Sequence, residues 1–345
     1  VISCPCALVV SIALGYFGAI GLASRNGIVF KGGNYLDVMT QIDTVVMDKT
    51  GTLTKGVFRV QQVVASGVEK DGLIKTASAL ERHSTHPIAK AVTEYANGVY
   101  EGLQTANIEE VAGHGLKGII EGKEVLAGNV KLLNQYSIQY PAEIEQVVDT
   151  IVVVAIDKKY AGYITIADEI KEDAKAAIDA LHSQNIKTVM LSGDKQSVVD
   201  QVAKTLGIDE AYGNLLPEGK VEQVQKLKDG GRKLAFVGDG VNDAPVVALA
   251  DAGIAMGGLG SDATIETADV VIQNDQPSRI PAAIKAGKVT RRIVWQNITL
   301  AMVVKIIVLI LGAGGVATLW EAVIADVGVA LLAILNAVRI QKLSL

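Results

Sequence analysis

Asp-Lys-Thr-Gly-Thr, residues 48–52, follows directly after the apolar run Thr-Val-Val-Met at 44–47. This pattern places the carboxylate of Asp48 at the end of a buried strand, where it can reach a ligand at the edge of a sheet. A carboxylate in that position can attack phosphorus and become an aspartyl phosphate. The stretch therefore predicts Asp48 as the nucleophile of a phosphoryl-transfer site, with Thr50 helping to hold the phosphoryl group.

A second acidic segment follows another apolar run late in the chain, where Leu-Ala-Phe-Val at 234–237 precedes Gly-Asp-Gly-Val-Asn-Asp at 238–243. Two such strand ends predict Mg²⁺ held between carboxylates, with Asn242 and Asp243 completing its shell. Ser192, with Asp194 in support, would donate a hydrogen bond to the phosphoryl group, and Lys220 would neutralise its charge. The predicted Mg²⁺ ligands are Asp48, Thr50, Asp239 and Asp243.

Composition and charge exclude several classes of protein. The 345 residues suffice for two or three domains, and half of them are hydrophobic. The net charge of -5 gives no support to a nucleic-acid partner. Two cysteines exclude a disulfide scaffold. The chain opens within apolar sequence and without Met, so we expect it to be part of a longer protein.

Three apolar stretches are long enough to cross a membrane, which takes about 20 residues. They cover residues 1–24, 293–320 and 322–338. Basic residues cluster before the second stretch and after the third, which predicts a cytoplasmic location for the middle of the chain. We expect an integral protein of a bacterial plasma membrane, in contact with lipid. The clustered residues are Lys285, Lys288, Arg291, Arg292, Arg339 and Lys342.

Between residues 40 and 281, short apolar runs that end in Asp or Gly alternate with helical stretches, which is typical of a parallel sheet with helices on both faces. The part from 57 to 167 has short strands and two helical segments, and we interpret it as an inserted domain. The predicted domains are a membrane helix at 1–30, a stalk and first catalytic part at 31–56, the insert at 57–167, a second catalytic part at 168–284 and two membrane helices at 285–345.

With these motifs the chain resembles the P-type ATPases. The resemblance rests on residues 48–52 and 238–243. It implies an α/β haloacid-dehalogenase-like phosphorylation domain with an inserted α+β nucleotide-binding domain, plus three transmembrane helices. It also implies an aspartyl phosphate that persists long enough to drive a conformational change. Ser192 departs from the Thr that is usual in the family, and Pro-Glu-Gly precedes Lys220 where an Asp is usual.

The same resemblance implies ATP as cofactor. Residues 81–87, Glu-Arg-His-Ser-Thr-His-Pro, are similar to the nucleotide domain of heavy-metal P-type ATPases. Thr85 departs from the Glu that is often found there, and we assign no role to His83 or His114. The resemblance implies that five residues lie at the adenine or line its pocket: Glu81, His86, Gly113, Gly115 and Asn129.

Cys-Pro-Cys at 4–6 lies inside the first apolar stretch. A proline frees a helix carbonyl, and two thiolates beside it form a soft-metal site, unless Cys4 and Cys6 are a redox pair or thiols packed around a kink. Lys305 and Asp326 each cost about 2.5–3.5 kcal/mol at mid-membrane and therefore need a function. Two thiolates and one carboxylate are balanced by a divalent ion and one lysine, which favours an ion such as Zn²⁺.

Asn297 and Lys305 in one apolar stretch, and Asp326 and Asn336 in the next, have spacings that resemble the zinc/cadmium/lead-exporting subclass. The resemblance implies Zn²⁺, Cd²⁺ or Pb²⁺ bound by Cys4, Cys6 and Asp326, with Lys305 pairing with Asp326 once the ion leaves. It also implies further N-terminal parts, without which we expect no complete transport cycle. The alternatives are a Cu⁺ pump, a membrane-tethered phosphatase and an inactive remnant.

Overall fold

The computed structural model describes residues 6–98, 100–257, 262–316, 318–343 and 345, and for residues 6–8 the backbone alone. The chain divides into two compact units. The first, here called the catalytic unit, comprises the residues up to Leu53 together with Lys171–Leu345. The second, here called the inserted unit, is Thr54–Ile170.

The described elements alternate between strands and helices through most of the chain. In chain order they are α1 (Cys6–Arg25), β1 (Ile28–Phe30), α2 (Gly33–Met39), β2 (Thr44–Asp48), β3 (Thr54–Ala65), α3 (Lys70–Glu81), α4 (Pro87–Ala96), β4 (Thr105–Val111), β5 (Gly115–Ile120), β6 (Lys123–Gly128), α5 (Val130–Gln135), β7 (Thr150–Ile156), β8 (Lys159–Ile170), α6 (Ala174–Ser183), β9 (Lys187–Leu191), α7 (Gln196–Leu206), β10 (Glu210–Tyr212), α8 (Pro217–Asp229), β11 (Leu234–Gly238), α9 (Ala244–Leu249), β12 (Ala252–Met256), α10 (Asp262–Thr267), β13 (Val270–Ile272), α11 (Arg279–Ala313) and α12 (Leu319–Val338).

The catalytic unit contains a sheet of seven described strands in the order β1-β13-β12-β11-β2-β9-β10. All neighbours are parallel except β1, which pairs antiparallel with β13. Strands β2 and β11 are buried at every position, as expected for central strands covered on both faces. Because β9, β2 and β11 are parallel neighbours, their carboxyl ends meet at one edge of the sheet, here called the acidic edge.

The inserted unit contains an antiparallel sheet of six described strands in the order β3-β8-β7-β6-β5-β4. Alternate residues face opposite sides, as the strand period requires. Val125 packs in the same core as Leu73 and Leu80 of α3, whereas its neighbour Leu126 packs with Leu132 of α5. The two faces therefore carry separate apolar cores, one under α3 and α4 and one under α5.

Two sequence-based expectations for the insert hold only in part, since β4 to β7 are short at six or seven residues each. We predicted short strands, but β3 and β8 are 12 residues each, because they pair with each other along their length with local register shifts. We also predicted two helical segments, but α5 adds a third. It has six residues, too few to show a helical apolar period, and the side chain of Asn129 caps it.

In the described part of the chain, two helices are long and apolar enough to cross a membrane: Arg279–Ala313 and the helical segment Leu319–Lys342 that contains α12. The apolar segment Val9–Arg25 of α1 is shorter. Helices α1, α11 and α12 pack against one another. Helix α11 begins six residues before the predicted start of the membrane region at 285, and its first two turns carry the buried Ile280 and Ile284.

Candidate active site

The acidic edge brings together the two acidic motifs of the sequence. Asp48 ends β2, and Asp239 directly follows the neighbouring strand β11. Carboxylate oxygens of Asp48, Asp239 and Asp243 lie within 4.8 Å of one another. Three carboxylates this close repel one another unless a cation lies between them.

Lys220 provides one such cation. Its Nζ atom donates hydrogen bonds to Oδ1 of Asp48 at 2.7 Å and to Oδ1 of Asp243 at 2.8 Å. Helix α8 positions this lysine in its first turn, after Pro217 at the helix start. The side chains of Lys220 and Asp243 are 12% and 3% exposed, so little water screens the two ion pairs.

Lys220 does not fully offset the burial and crowding of these carboxyl groups, as their pKa values show. Burial, together with the charges of Asp243 and Asp239, raises the pKa of Asp48 to about 7 against the opposing effect of Lys220. Burial and the charge of Asp243 raise the pKa of Asp239 to about 6. Burial lowers the pKa of Lys220, but the charges of Asp48 and Asp243 outweigh it and the net shift is upward. The atoms that the three carboxyl groups offer to a metal ion are all oxygens, so the cluster fits a hard cation such as Mg²⁺.

A tight turn at Gly51 fits the acidic edge closely. Gly51 has φ +74°, and a Cβ atom there would lie 1.7 Å from Oδ2 of Asp239. Lys171, 9% exposed, holds this turn, with Nζ donating to the Gly51 carbonyl at 2.5 Å and to the Asp275 carbonyl at 3.0 Å. The sequence analysis missed Lys171, which lies 120 residues from Gly51 and belongs to no motif.

The other predicted residues lie around the edge. Ser192 follows β9, the strand beside β2, and is 2% exposed. Its Oγ accepts a hydrogen bond from the backbone N–H of Asp194 at 3.1 Å, which leaves its own proton to donate. Asp194 also forms an ion pair with the buried Lys49 at 2.6 Å. Thr50 and Asn242 have exposed side chains.

The inserted unit contains a cavity of about 340 Å³, here called the base cavity. Its walls include apolar side chains of α4, β4, β5 and β7. His114, to which the sequence analysis gave no role, also lines it. All five residues predicted for the nucleotide site line this cavity: Glu81, His86, Gly113, Gly115 and Asn129.

Two of these five are titratable. Glu81 is 6% exposed, and burial raises its pKa to about 7. The Nδ1 atom of His86 accepts a hydrogen bond from the backbone N–H of Ile88 at 3.2 Å and so caps α4. A ring whose Nδ1 accepts in this way carries its proton on Nε2, which leaves an N–H donor.

The other three residues shape the cavity. Gly115 has φ +139°, and a Cβ atom there would lie 2.3 Å from the Ala127 carbonyl oxygen, so β5 and β6 meet closely at its wall. Asn129 donates from Nδ2 to the Gly113 carbonyl at 2.9 Å and accepts at Oδ1 from the Leu132 N–H at 3.2 Å. The side chain of Asn129 is therefore used to hold the Gly113 turn and to cap α5.

The predicted ion site falls partly beyond what the structure describes. Cys4 lies outside the described residues, and for Cys6 the structure describes the backbone alone. Lys305 in α11 and Asp326 in α12 are both partly buried. A buried polar contact joins these helices, since Asn297 donates to the Ala333 carbonyl at 3.0 Å and accepts from Asn336 at 2.9 Å.

Comparisons with known proteins agree with this geometry. A family model described as haloacid dehalogenase-like hydrolase matches residues 42–251. The chain is 54% identical to a zinc-transporting ATPase of Synechocystis sp. and 53% identical to a cadmium, zinc and cobalt-transporting ATPase of Bacillus subtilis, each over 99% of the chain. These alignments cover 48% and 49% of the two relatives, so the chain spans about half the length of the curated relatives it matches.

Solved structures give the same result. A crystal structure of a zinc-transporting PIB-type ATPase superposes with a TM-score of 0.90 at 34% identity, covering 99% of this chain and 56% of the other. The catalytic domain of the CPx-ATPase CopB-B matches with a TM-score of 0.61 at 31% identity, covering 77% of this chain and 98% of that domain.

Proposed function

The chain belongs to the heavy-metal P-type ATPases, within the haloacid dehalogenase-like hydrolase family, and we propose that it couples phosphorylation of Asp48 by ATP to export of a divalent metal ion such as Zn²⁺, Cd²⁺ or Pb²⁺. The observation that carries the proposal is the acidic edge. A strand-end carboxylate, two further carboxylates and a bridging lysine form there from segments up to 195 residues apart in the sequence.

The proposed chemistry is transfer of the γ-phosphoryl group to Asp48. An Oδ atom of Asp48 forms the new bond to phosphorus as the bond to the leaving ADP oxygen breaks. Lys220 neutralises charge on the phosphoryl oxygens, and Ser192 and Thr50 hydrogen-bond to them. Bound Mg²⁺, held by Asp48, Thr50, Asp239 and Asp243 with Asn242 in support, would offset the remaining negative charge. The Lys171 contact keeps the Gly51 turn against Asp239.

We propose that the base cavity takes the adenine of ATP. Its apolar walls suit a flat base, and Glu81 and the Nε2–H of His86 offer polar contacts at its edge. The size of about 340 Å³ supports this use, because pockets for small ligands start near 300 Å³.

For the transported ion we propose Cys4, Cys6 and Asp326 as ligands, with Lys305 as the cation that pairs with Asp326 after release. The charges of this set balance with a divalent ion. We place the three apolar helices of the catalytic unit in a bacterial plasma membrane, and the rest of that unit and the inserted unit in the cytoplasm. The remaining half of the protein, by comparison with the relatives, would complete the cycle.

The test is acid-stable labelling of the full-length protein with [γ-³²P]ATP. We expect Zn²⁺ or Cd²⁺ to change the level of phosphoenzyme, and Asp48→Asn to abolish it. Labelling of Asp48→Asn, or a level indifferent to every divalent ion, would contradict the proposal. Asp326→Ala distinguishes the proposed divalent-ion exporter from a Cu⁺ pump, because a Cu⁺ pump should tolerate this substitution better. Rapid hydrolysis of phosphate esters without metal would instead indicate a phosphatase.

A further inference from the structure

A second cavity, of about 240 Å³ and here called the helix-end cavity, lies between α1, α11 and the short C-terminal turn Arg339–Lys342. The residues of α11 that line it lie between Lys285 and Thr290, just before the apolar stretch that begins at 293. In the membrane placement proposed above, the cavity therefore lies at the level of the lipid headgroups on the cytoplasmic side.

The interior of the helix-end cavity is apolar. Thr290 lines it, but its hydroxyl donates to the Ala286 carbonyl at 2.7 Å and so needs no further partner. Pockets for small ligands start near 300 Å³, so the size of this cavity suits a segment of a hydrocarbon chain better than a whole ligand. The apolar lining includes Ala19, Leu22, Ala286, Val289, Ile340 and Leu343.

Basic side chains lie on all three elements that form this cavity. Lys285 lines it with an exposed side chain, so the cavity reaches the surface beside an ammonium group. Arg292 is also exposed and lies on the same face of α11, because helical spacing brings positions seven apart to one side. Arg25, at the end of α1, donates from Nη2 to the Gln341 carbonyl of the C-terminal turn at 3.0 Å, and Lys342 is exposed in that turn.

No acidic residue offsets these charges along the three helices at this end. The sequence has no Asp or Glu in residues 1–36, 276–320 or 327–345. The positive-inside rule accounts for basic residues at helix ends, but it does not require an apolar cavity beside them. Cationic and apolar surfaces together match a ligand that carries both an anionic phosphate and a hydrocarbon chain.

We propose that the helix-end cavity binds one anionic phospholipid of the cytoplasmic leaflet, with its phosphate at Lys285 and Arg292 and the start of an acyl chain against Val289 and Leu343. Basic pockets between membrane helices on the cytoplasmic side suit anionic headgroups. The bound lipid joins the C-terminal turn to α11, since it contacts both. The inference goes beyond the proposed metal export and rests only on the proposed membrane placement of the helices.

The test is native mass spectrometry of the full-length protein in detergent, titrated with phosphatidylglycerol and phosphatidylcholine that have the same acyl chains. We expect tighter retention of phosphatidylglycerol, because each basic residue near an anionic headgroup strengthens binding about fivefold. Lys285→Gln and Arg292→Gln should each weaken this binding about fivefold, and the double variant about 25-fold. Val289→Phe, which fills the cavity without a change of charge, should weaken the binding of phosphatidylglycerol as well.

Lys288→Gln is the matched control. It removes the same charge three residues further along α11, where the Nζ atom of Lys288 lies 3.4 Å from both the carbonyl and the side-chain oxygen of Gln184. We expect its affinity for phosphatidylglycerol to stay within twofold of that of the unaltered protein.

Three results would overturn the inference: equal retention of the two lipids, the same loss in Lys288→Gln as in Lys285→Gln, or an unchanged affinity in Lys285→Gln. The last is expected if a helix from the rest of the protein fills the cavity. Full-length protein that does not fractionate with the membrane would instead overturn the membrane placement. None of these outcomes bears on phosphorylation of Asp48, so the proposed metal export is tested separately.

Discussion

The acidic edge and the base cavity each contain a buried carboxyl whose pKa rises to about 7 because of burial. Their surroundings differ. Asp48 has Lys220 at 2.7 Å and two further carboxylates nearby, whereas Glu81 has no charged partner among the described residues. The comparison shows that burial acts alike on two carboxyls in different settings. The carboxyl within a charged cluster forms a group suited to a cation, whereas the isolated one is held in its neutral form by burial alone.

The largest predicted effect is at Lys220, which sets the acidic edge apart from the base cavity. Lys220→Met removes its positive charge and leaves Asp48 and Asp243 facing each other. We expect phosphorylation of Asp48 to slow about 10²–10³-fold, the usual loss on removing one preorganised charge-stabilising group. Rapid-quench labelling of the full-length protein measures this rate, with Lys226→Met in the same helix as control. A rate within twofold of the unaltered protein would contradict the role given to Lys220.

The second-largest predicted effect concerns the close approach of Gly51 to Asp239 at the acidic edge. Gly51→Ala would push a Cβ atom into Asp239, and a misplacement of about 1 Å can slow a reaction about 10²-fold. Gly67→Ala is the matched control, because Gly67 has the same φ of +74° and no atom within 4 Å of its added Cβ. Phosphoenzyme formation should fall in the first variant and not in the second. Equal rates in both would show that the close approach to Asp239 has no part in the chemistry.

A third prediction concerns the stability of the inserted unit. The folded pKa of Glu81 lies above the unfolded value of 4.5, so the folded state holds the proton between about pH 4.5 and 7 and loses stability as pH rises through that window. The Glu81→Gln variant has no carboxyl to ionise at this position, so it does not lose stability in this way as pH rises. The stability of the variant relative to the unaltered chain should increase by about 2–3 kcal/mol from pH 5 to pH 8.

Hydrogen exchange of the core strands β6 and β7 measures this difference. Glu110→Gln, which changes an exposed carboxyl in the same cavity, is the control, and its stability should match that of the unaltered chain at both pH values. A stability difference between Glu81→Gln and the unaltered chain that does not change with pH would show that the buried carboxyl is not protonated in the folded protein.

The smallest predicted effect concerns a buried polar group that has protein partners. The side chain of Asn297 is 1% exposed and bonds to the Ala333 carbonyl and to Asn336. Hydrogen bonds between membrane helices contribute about 0.6 kcal/mol on average and up to about 1.7. We expect Asn297→Ala to destabilise the helices by that range in detergent unfolding, without a dependence on pH. A loss above 3 kcal/mol, or one that titrates, would contradict a simple structural contact.

The sequence located the carboxylates of the acidic edge because Asp48 and Asp239 each come at the end of an apolar run. Asp48 and Asp239 are marked by local motifs, and Lys220 by a helix start after a proline. Strand alternation predicted the parallel sheet, but not the antiparallel β1, which has three residues and is too short to show a pattern.

What the sequence could not reveal depends on contacts between distant segments. Lys171 acts on the carbonyl of Gly51, and a backbone acceptor leaves no trace in side-chain patterns. The isolation of Glu81 is likewise a property of the folded cavity, since the sequence shows the charged residues around it without showing that they pair with one another.

The most direct test of the account is to locate the phosphoryl group. Borohydride reduces an aspartyl phosphate to homoserine, and mass spectrometry of peptides from the ATP-treated full-length protein then identifies the modified position. The account predicts homoserine at position 48, formed with ATP and Mg²⁺ and absent without ATP. Homoserine at another position, or none in protein that carries acid-stable label, would contradict it.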